Sequence, residues 1–235
     1  RLTFHHYNAA VLTPAAPHRP HAMARKTPIE SQKTRDSILD AAERVFAAKG
    51  VAGTTMADIA EAAGISRGAV YGHYGNTAEV CIAMSERALA IAPEAAHLTL
   101  GMDETGDDPL GALWRIVLGY FDAIQRPGRL RTVLEVLYYK CEHVEANRPI
   151  LEWNNRVSRT ELLQMEQLLA AAVERGQLPA DLDVRRANAY LNAVLYGLID
   201  LHYFASPFFD VAGDGREVLE ASLETLRYST RLRKT

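Results

Sequence analysis

Residues 54–74 read Thr54-Thr55-Met56-Ala57-Asp58-Ile59-Ala60-Glu61-Ala62-Ala63-Gly64-Ile65-Ser66-Arg67-Gly68-Ala69-Val70-Tyr71-Gly72-His73-Tyr74, and the order of caps and stops in this stretch decides the fold. Asp58 follows Thr55 by three residues. The threonine hydroxyl can therefore accept an orphan amide of a helix start while the carboxylate reaches back to the Thr55 amide. This predicts a short helix over 56–63. Gly64 supplies a turn, Ser66 caps again, and a second short helix is predicted over 67–74. Ile59, Ala60, Ala63, Ile65 and Val70 then share one apolar side, and the pair forms a helix-turn-helix.

Working upstream, Ile38, Ala41, Ala42, Val45 and Phe46 recur at the spacing of an amphipathic helix, and Lys49-Gly50 ends it. A helix over 31–49 is predicted, with its apolar face toward the helix-turn-helix. Downstream, a helix starts near Thr77 and runs toward Ala92, where Pro93 interrupts it. No trustworthy strand alternation follows. Leu110, Leu113, Trp114, Val117, Leu118, Phe121 and Ile124 mark one helix, and Leu130, Val133, Leu134, Leu137 and Cys141 another, each apolar on one face only. Further helices are predicted over 149–175, 184–204 and 215–231, with linkers over 101–109 and 206–215. The fold class is all-α: a three-helix DNA-binding domain with its helix-turn-helix, then a larger helical domain. We place the domains at 23–81 and 82–235. Residues 1–22 hold four of the eight histidines and three of the ten prolines without helical period, so they are expected to be a disordered or non-native extension.

Composition is that of an ordinary globular chain, 235 residues and 48% hydrophobic, with a formal net charge of -3. There is no global basic signature, so nucleic-acid binding has to come from a local constellation. Cys81 and Cys141 are the only cysteines, which fits a reducing cytoplasm better than a disulfide framework. No apolar run approaches the roughly 20 residues a membrane span needs.

The segment 54–74 resembles the TetR family of bacterial repressors almost position by position. The resemblance continues through Lys140-Cys141-Glu142, Arg175-Gly176-Gln177-Leu178-Pro179 with Leu182-Asp183, and Leu226-Arg227-Tyr228-Ser229, which look like the branch that represses multidrug efflux operons. Tyr71-Gly72-His73-Tyr74 with Glu79-Val80-Cys81 is similar to local repressors of aminoglycoside and macrolide pumps of the RND type. It covers about residues 23–233. The implied protein is a homodimer that binds palindromic double-stranded operator DNA. Two further implications are release by a small hydrophobic or drug-like effector, or by an anti-repressor protein, and location in the bacterial cytoplasm on the nucleoid.

A recognition helix needs small and polar side chains on its leading face so that backbone and bases can approach. Ser66, Arg67, Gly68 and Tyr71 meet that need. Arg67 can read a guanine edge or hold a phosphate, Tyr71 and His73 can donate to phosphate oxygens, and Thr55 and Thr77 add hydroxyls at helix starts. From Met23 to Cys81, however, seven basic residues are balanced by seven acidic ones. Relatives commonly carry lysines where this chain has Gly75 and Thr77.

In the larger domain, Ala187, Tyr190, Leu191, Val194, Leu195 and Leu198 face one way, as do Leu219, Leu223 and Leu226. The resemblance implies that these two helices and their copies form a four-helix dimer interface. For effector binding we single out Trp114, Phe121, Tyr138, Cys141, Asn192 and Tyr196, with Trp153 and Tyr203 as further aromatics and Asp200 or His202 as further polar anchors. Efflux repressors often have an aspartate just before Gly197, and Tyr196 in its place argues against a cationic-drug pocket. Cys141, Glu142, His143 and Glu145 resemble metal ligands, but on a helix only Cys141 and Glu145 share a face, so no metal is expected. Nor is a cofactor or an enzyme activity expected, because no nucleophile elbow, phosphate loop or zinc-helix motif occurs. The helix beginning at Thr77 joins both domains and is the expected lever.

Thr77→Lys restores a cation beside the phosphate backbone. Operator affinity should rise at moderate salt, with a salt slope steeper by about 0.9. A salt titration against a scrambled duplex checks this, and unchanged affinity would remove Thr77 from the phosphate contacts.

Overall fold

The computed structural model describes residues 27–91, 107–204 and 210–235. The expectations for residues 1–22, for the break at Pro93, for 101–106 of the first linker and for 206–209 of the second lie outside these residues. The described helices are α1 (Pro28–Lys49), α2 (Met56–Ala63), α3 (Arg67–Tyr71), α4 (Thr77–Ile91), α5 (Pro109–Gln125), α6 (Arg129–Tyr139), α7 (Arg148–Glu174), α8 (Val184–Phe204) and α9 (Asp214–Tyr228). Short 3-10 turns lie at Glu145–Asn147 and Thr230–Leu232. Among the described residues the only β pairing is an isolated antiparallel bridge, Leu182 to Arg233, and no helix is long and apolar enough to cross a membrane.

Local chemistry accounts for the boundaries. α1 begins three residues before the predicted start because Thr27 and Glu30 form a capping box with Pro28 at the first helical position. The Thr27 amide donates to Glu30 Oε2 at 2.9 Å and the Glu30 amide to Thr27 Oγ1 at 3.3 Å. α2 has the predicted bounds and the predicted Thr55–Asp58 box, and Gly64 takes the left-handed conformation at φ 66° that ends it. α3 stops at Tyr71, short of the predicted Tyr74. Its cap is Gly72, and the His73 and Tyr74 amides both turn back to the Val70 carbonyl, which carries the Tyr74 ring into the core at 4% exposure. α9 ends at Tyr228 rather than 231, because the chain folds back on the start of α8. There the Asp183 amide donates to the Leu232 carbonyl and the Lys234 amide to the Asp181 carbonyl, both at 2.8 Å.

Two cores result. The first is built on Ile38, Phe46, Ile59, Val70, Val80 and Met84, and it continues past Cys81 to Ala88. It is completed by Val133, Val136, Leu137, Cys141, Ile150 and Trp153 from α6, the turn after it and α7. The second core surrounds α5 and includes Leu113, Val117, Phe121, Leu169, Leu191 and Leu219. α5 and α6 depart from the one-faced pattern read in the sequence. α5 buries Ala112, Ile116, Tyr120 and Ala123 as well as Leu110, Leu113, Val117, Phe121 and Ile124 of the predicted stripe, because α6, α7 and α8 all pack on it, while Trp114 and Leu118 are only partly buried. α6 divides its buried residues, giving Val133, Val136 and Leu137 to the first core and Leu130 and Leu134 to the second.

Leu137→Ala and Leu134→Ala make the same chemical change three residues apart on α6. Each should cost about 2 to 5 kcal/mol. Hydrogen exchange should separate them, Leu137→Ala deprotecting amides of α1 to α4 and Leu134→Ala those of α5, α7 and α8.

Candidate nucleic-acid interface and effector cavity

The seven residues singled out for DNA contact lie at the start of α2, along α3 and in the turn to α4. Thr55 caps α2, its hydroxyl 2.6 Å from Asp58 Oδ2, and Ser66 caps α3, its Oγ accepting the Ala69 amide at 3.2 Å. Arg67 and Gly68 are exposed in the first turn of α3, and Tyr71 is 56% exposed. His73 is half-buried with its ring 6.5 Å from that of Tyr74, and Thr77 is the first, partly exposed residue of α4. Tyr74 does structural work instead. The Arg35 Nε donates to its hydroxyl at 3.1 Å and the guanidinium lies 5.4 Å from the ring centroid.

The seven-to-seven charge balance reads differently in three dimensions. Glu30 and Asp58 are committed to capping boxes, and Glu79 caps the α4 start, accepting the Gly75 amide at 2.7 Å and the Asn76 side-chain amide at 3.0 Å. Lys49 Nζ sits 2.6 Å from Asp58 Oδ1, and this bond, with those from Thr55, holds the Asp58 carboxyl well below the usual range. Asp36 and Asp40 face Arg87 of α4, and Asp40 and Glu43 face Arg129 of α6, with both Asp40 contacts at 2.8 Å. These acids are met by cations from outside residues 23–81. Arg67 makes no ion pair or hydrogen bond among the described residues.

A second set of contacts ties the start of the helix-turn-helix to α6. The Val51 amide donates to the Lys140 carbonyl at 2.8 Å and the Ala52 amide to Glu142 Oε2 at 2.9 Å. Lys140 Nζ also donates to the Ala47 carbonyl. Gly50, at φ 75°, is needed twice over, since a Cβ there would lie 2.7 Å from Glu142 Oε1. α4 therefore shares the connection between the two cores with α6. Residues 140–147 are largely irregular, which removes the helical-face argument used against a metal. Among the described residues no group of three or more His, Cys, Asp or Glu side chains is placed to hold one.

The predicted effector residues divide. Asn192 and Tyr196 line a cavity between α5, α7 and α8, together with Ile116, Tyr120, Ser158, Glu161 and Met165. Tyr138 adjoins it, its ring 6.0 Å from that of Tyr196, with the phenols of Tyr120 and Tyr196 turned to its own. Burial raises the pKa of all three phenols. Free space in the cavity is about 30 Å³, room for water and far below a drug-sized site. The other three candidates lie elsewhere. Phe121 is fully buried against Gly215, Trp114 borders a separate open groove with Asp108, Gln177 and Arg227, and Cys141 belongs to the first core. Burial pushes the Cys141 thiol up to about 11 and that of Cys81 up to about 12. Trp153 also lies in the first core, Asp200 accepts from the Tyr139 hydroxyl at 2.6 Å, and the Tyr203 hydroxyl donates to the Arg131 carbonyl. His202 Nε2 is buried without a partner among the described residues, and burial lowers its pKa.

A helix-turn-helix carried on a cavity-bearing helical bundle defines a DNA-binding regulator of transcription. Residues 38–84 match the model for bacterial regulatory proteins of the tetR family, and residues 108–228 match the C-terminal region of MAATS-type transcriptional repressors. The chain belongs to the TetR family. It is 40% identical to the crystal structure of MexZ, described as a key repressor responsible for antibiotic resistance in Pseudomonas aeruginosa, over 87% of this chain and 100% of that one, with a TM-score of 0.74. It is 37% identical over 212 residues to the HTH-type transcriptional regulator TtgR of Pseudomonas putida, covering 90% of this chain and 100% of the relative. SmeT in complex with triclosan is 31% identical over 85% of this chain and 94% of that one, with a TM-score of 0.75. SmeT is the repressor of the Stenotrophomonas maltophilia multidrug efflux pump SmeDEF.

Sequence reasoning missed Glu161. It stands four residues before Met165 and eight before Leu169, both buried, so helical spacing alone places it on the packed face of α7. A carboxylate does line the cavity, supplied by α7 rather than by the position of Tyr196 on α8. Burial raises the Glu161 carboxyl to about 7 from an ordinary value of 4.5. The folded state then holds a proton that the unfolded chain has released, and stability falls as pH rises from about 4.5 through about 7. Glu161→Gln removes this dependence. At pH 8 the variant should be more stable than the parent by about 1 to 3 kcal/mol, with little difference at pH 4.5, in denaturant titrations at both pH values. Equal stabilities at pH 8 would mean that the carboxylate is adequately solvated.

Proposed function

We propose that this chain is a homodimeric repressor that reads a palindromic operator beside a multidrug efflux operon, of the aminoglycoside and macrolide type, and is released when an effector enters the helical bundle. The observation that carries the proposal is the leading edge of α3, where Ser66, Arg67, Gly68 and Tyr71 are all exposed and Arg67 is unengaged among the described residues. The match to named efflux repressors supports the operon class. Domain limits of 23–81 and 82–235 and a site of action on the bacterial nucleoid belong to the same proposal.

Dimerisation has its own support, on a face shifted from the one read in the sequence, because Ala187, Leu191, Leu195, Leu198, Leu219 and Leu226 of that reading are buried in the second core of a single subunit. Tyr190, Val194, Gly197, Leu201 and Phe204 recur along α8 at alternating steps of four and three, and Leu201 and Phe204 are 38% and 72% exposed. On α9, Val218 and Tyr228 are 39% and 77% exposed. A glycine inside a helix costs roughly 0.5 to 1 kcal/mol relative to alanine. Nothing lies within 4 Å of a Cβ built on Gly197, so its use is explained by a neighbouring helix from a second copy crossing there. Such a dimer sets its two α3 helices about 34 to 36 Å apart for successive major grooves.

Release follows from the size of the cavity. An effector cannot enter about 30 Å³ without parting α5, α7 and α8. Tyr138 adjoins the cavity on α6, and the turn after α6 holds Val51 and Ala52. A coupling of about 1 to 3 kcal/mol along this path changes operator affinity roughly 5- to 150-fold.

Arg67→Ala tests the reading. Fluorescence anisotropy with a palindromic fragment from the gene's upstream region should show a loss of about 5- to 150-fold in specific affinity, with little change on a scrambled duplex. Unchanged operator binding would favour an interaction-only role for the helix-turn-helix.

A further inference from the structure

Where α9 passes the start of α5, the bundle carries an open groove of about 370 Å³, within the range of small-molecule sites, whereas the cavity between α5, α7 and α8 has about 30 Å³. Its apolar walls are Leu110 and Trp114 of α5 and Leu223 of α9, and its polar groups are Asp108, Gln177 and Arg227. Two of those three are already committed to the fold. Asp108 Oδ1 accepts the Gly111 amide at 2.9 Å and the Gln177 side-chain amide at 2.8 Å, and its Oδ2 lies 3.8 Å from the Arg115 guanidinium. The Gln177 side-chain carbonyl accepts the Leu110 amide at 3.0 Å. A Cβ on Gly111 would run into the Asp108 carboxylate, so the glycine keeps this cap closed. Arg227 is different. It is exposed, and its guanidinium makes no hydrogen bond or ion pair among the described residues. It lies half a turn round α9 from Val218, so the groove opens away from the dimer face proposed above.

We infer that this groove is a second small-molecule site, one that takes a flat aromatic carboxylate with its ring on Trp114 and its charge on Arg227. Trp114 is only partly buried against the second core, so part of the indole is left as groove wall, and aromatic pairs gain more than their buried area alone supplies. The guanidinium offers a planar fork that matches a carboxylate with paired hydrogen bonds. A cation finds no equivalent partner. The one carboxylate at the groove is taken up by the α5 cap and by Gln177, and it faces Arg115. The site differs in kind from the cavity between α5, α7 and α8, because no helix has to part before it is filled. It stands whether or not that cavity receives the effector. A ligand of about a dozen non-hydrogen atoms in such an open groove binds with a dissociation constant of about 0.1 to 1 mM.

The chain has two tryptophans, and they report on different places, Trp114 on the groove and Trp153 on the first core. Fluorine NMR of the full chain labelled with fluorotryptophan therefore reads the groove on one resonance and uses the other as an internal control, with Trp114→Phe assigning the pair. Naphthoate, naphthamide and naphthylmethylammonium share a ring system and differ in charge, and they are the probes. Naphthoate should shift the Trp114 resonance saturably, leave that of Trp153 in place and bind roughly fivefold more tightly than naphthamide, with naphthylmethylammonium the weakest of the three. Arg227→Gln should reduce naphthoate to the affinity of naphthamide, whereas Arg231→Gln, the same charge change at an exposed arginine of the turn after α9, should behave as the parent. The inference is overturned if the Trp114 resonance stays in place at about 10 mM naphthoate, if naphthylmethylammonium binds as tightly as naphthoate, or if Arg227→Gln keeps the parent's preference. A shift of Trp153 equal to that of Trp114 would overturn it as well, because it would put the ligand outside the groove.

Discussion

The helix-turn-helix of this chain does not close its own core. α1 to α4 enclose Phe46, Ile59, Val70 and Met84, yet one side of that cluster is covered by Val133, Val136 and Leu137 of α6 and by Ile150 and Trp153 of α7. A unit of about 60 residues buries only about 60% of its unfolded surface and is marginal alone. Borrowing apolar surface from α6 and α7 makes the DNA-binding part stable and, in the same step, fixes where it sits. The opposite side of α6 belongs to the second core through Leu130 and Leu134, and Tyr138 reaches the cavity. One eleven-residue helix is thus packed into both halves. Packed cores rearrange between discrete arrangements and do not deform smoothly, so a ligand that displaces Tyr138 acts on the end of α6 that runs directly into the turn holding Val51 and Ala52.

The polar contacts reinforce that path without dominating it. The Asp40 interactions with Arg87 and Arg129 are partly exposed, and exposed ion pairs contribute about 0 to 1 kcal/mol each. Their value lies in geometry. They hold α1 between α4 and α6 and occupy acids that would otherwise repel phosphate. A formal charge count over residues 23–81 could not show this, because Arg87 and Arg129 stand outside it. The chain can therefore lack a basic composition and still present an α3 edge where the exposed cation is Arg67.

What is legible in the sequence is local. The Thr55–Asp58 box, Gly64 and Ser66 act through contacts within four residues, so α2 and the start of α3 can be read from spacing. Thr27-Pro28-Ile29-Glu30 carries the same kind of signal, and reading it gives the true start of α1. The cavity is only partly legible because it is assembled from three helices, with lining residues that run from Ile116 to Tyr196. Aromatic character says that a side chain is buried, not in which direction. Phe121 and Trp114 share α5 with Tyr120, and Tyr120 alone of the three turns to the cavity. Cys141 reads in sequence as one more residue of the α6 stripe, but the chain leaves the helix at Lys140 and turns the thiol into the first core.

The closed cavity and a Glu161 without a partner among the described residues are two aspects of one balance. A bundle selected for stability alone would fill the space and replace the acid with an apolar residue. Keeping the acid lowers the stability of the closed state as the carboxyl ionises, and keeping the space small means that no effector fits until the helices part. A ligand that binds only the parted form commits its whole differential affinity to shifting the population, whereas one that fitted both forms would shift nothing however tightly it bound. On this argument, a site with little room and one unmatched charge is a better switch than a roomy, fully satisfied pocket.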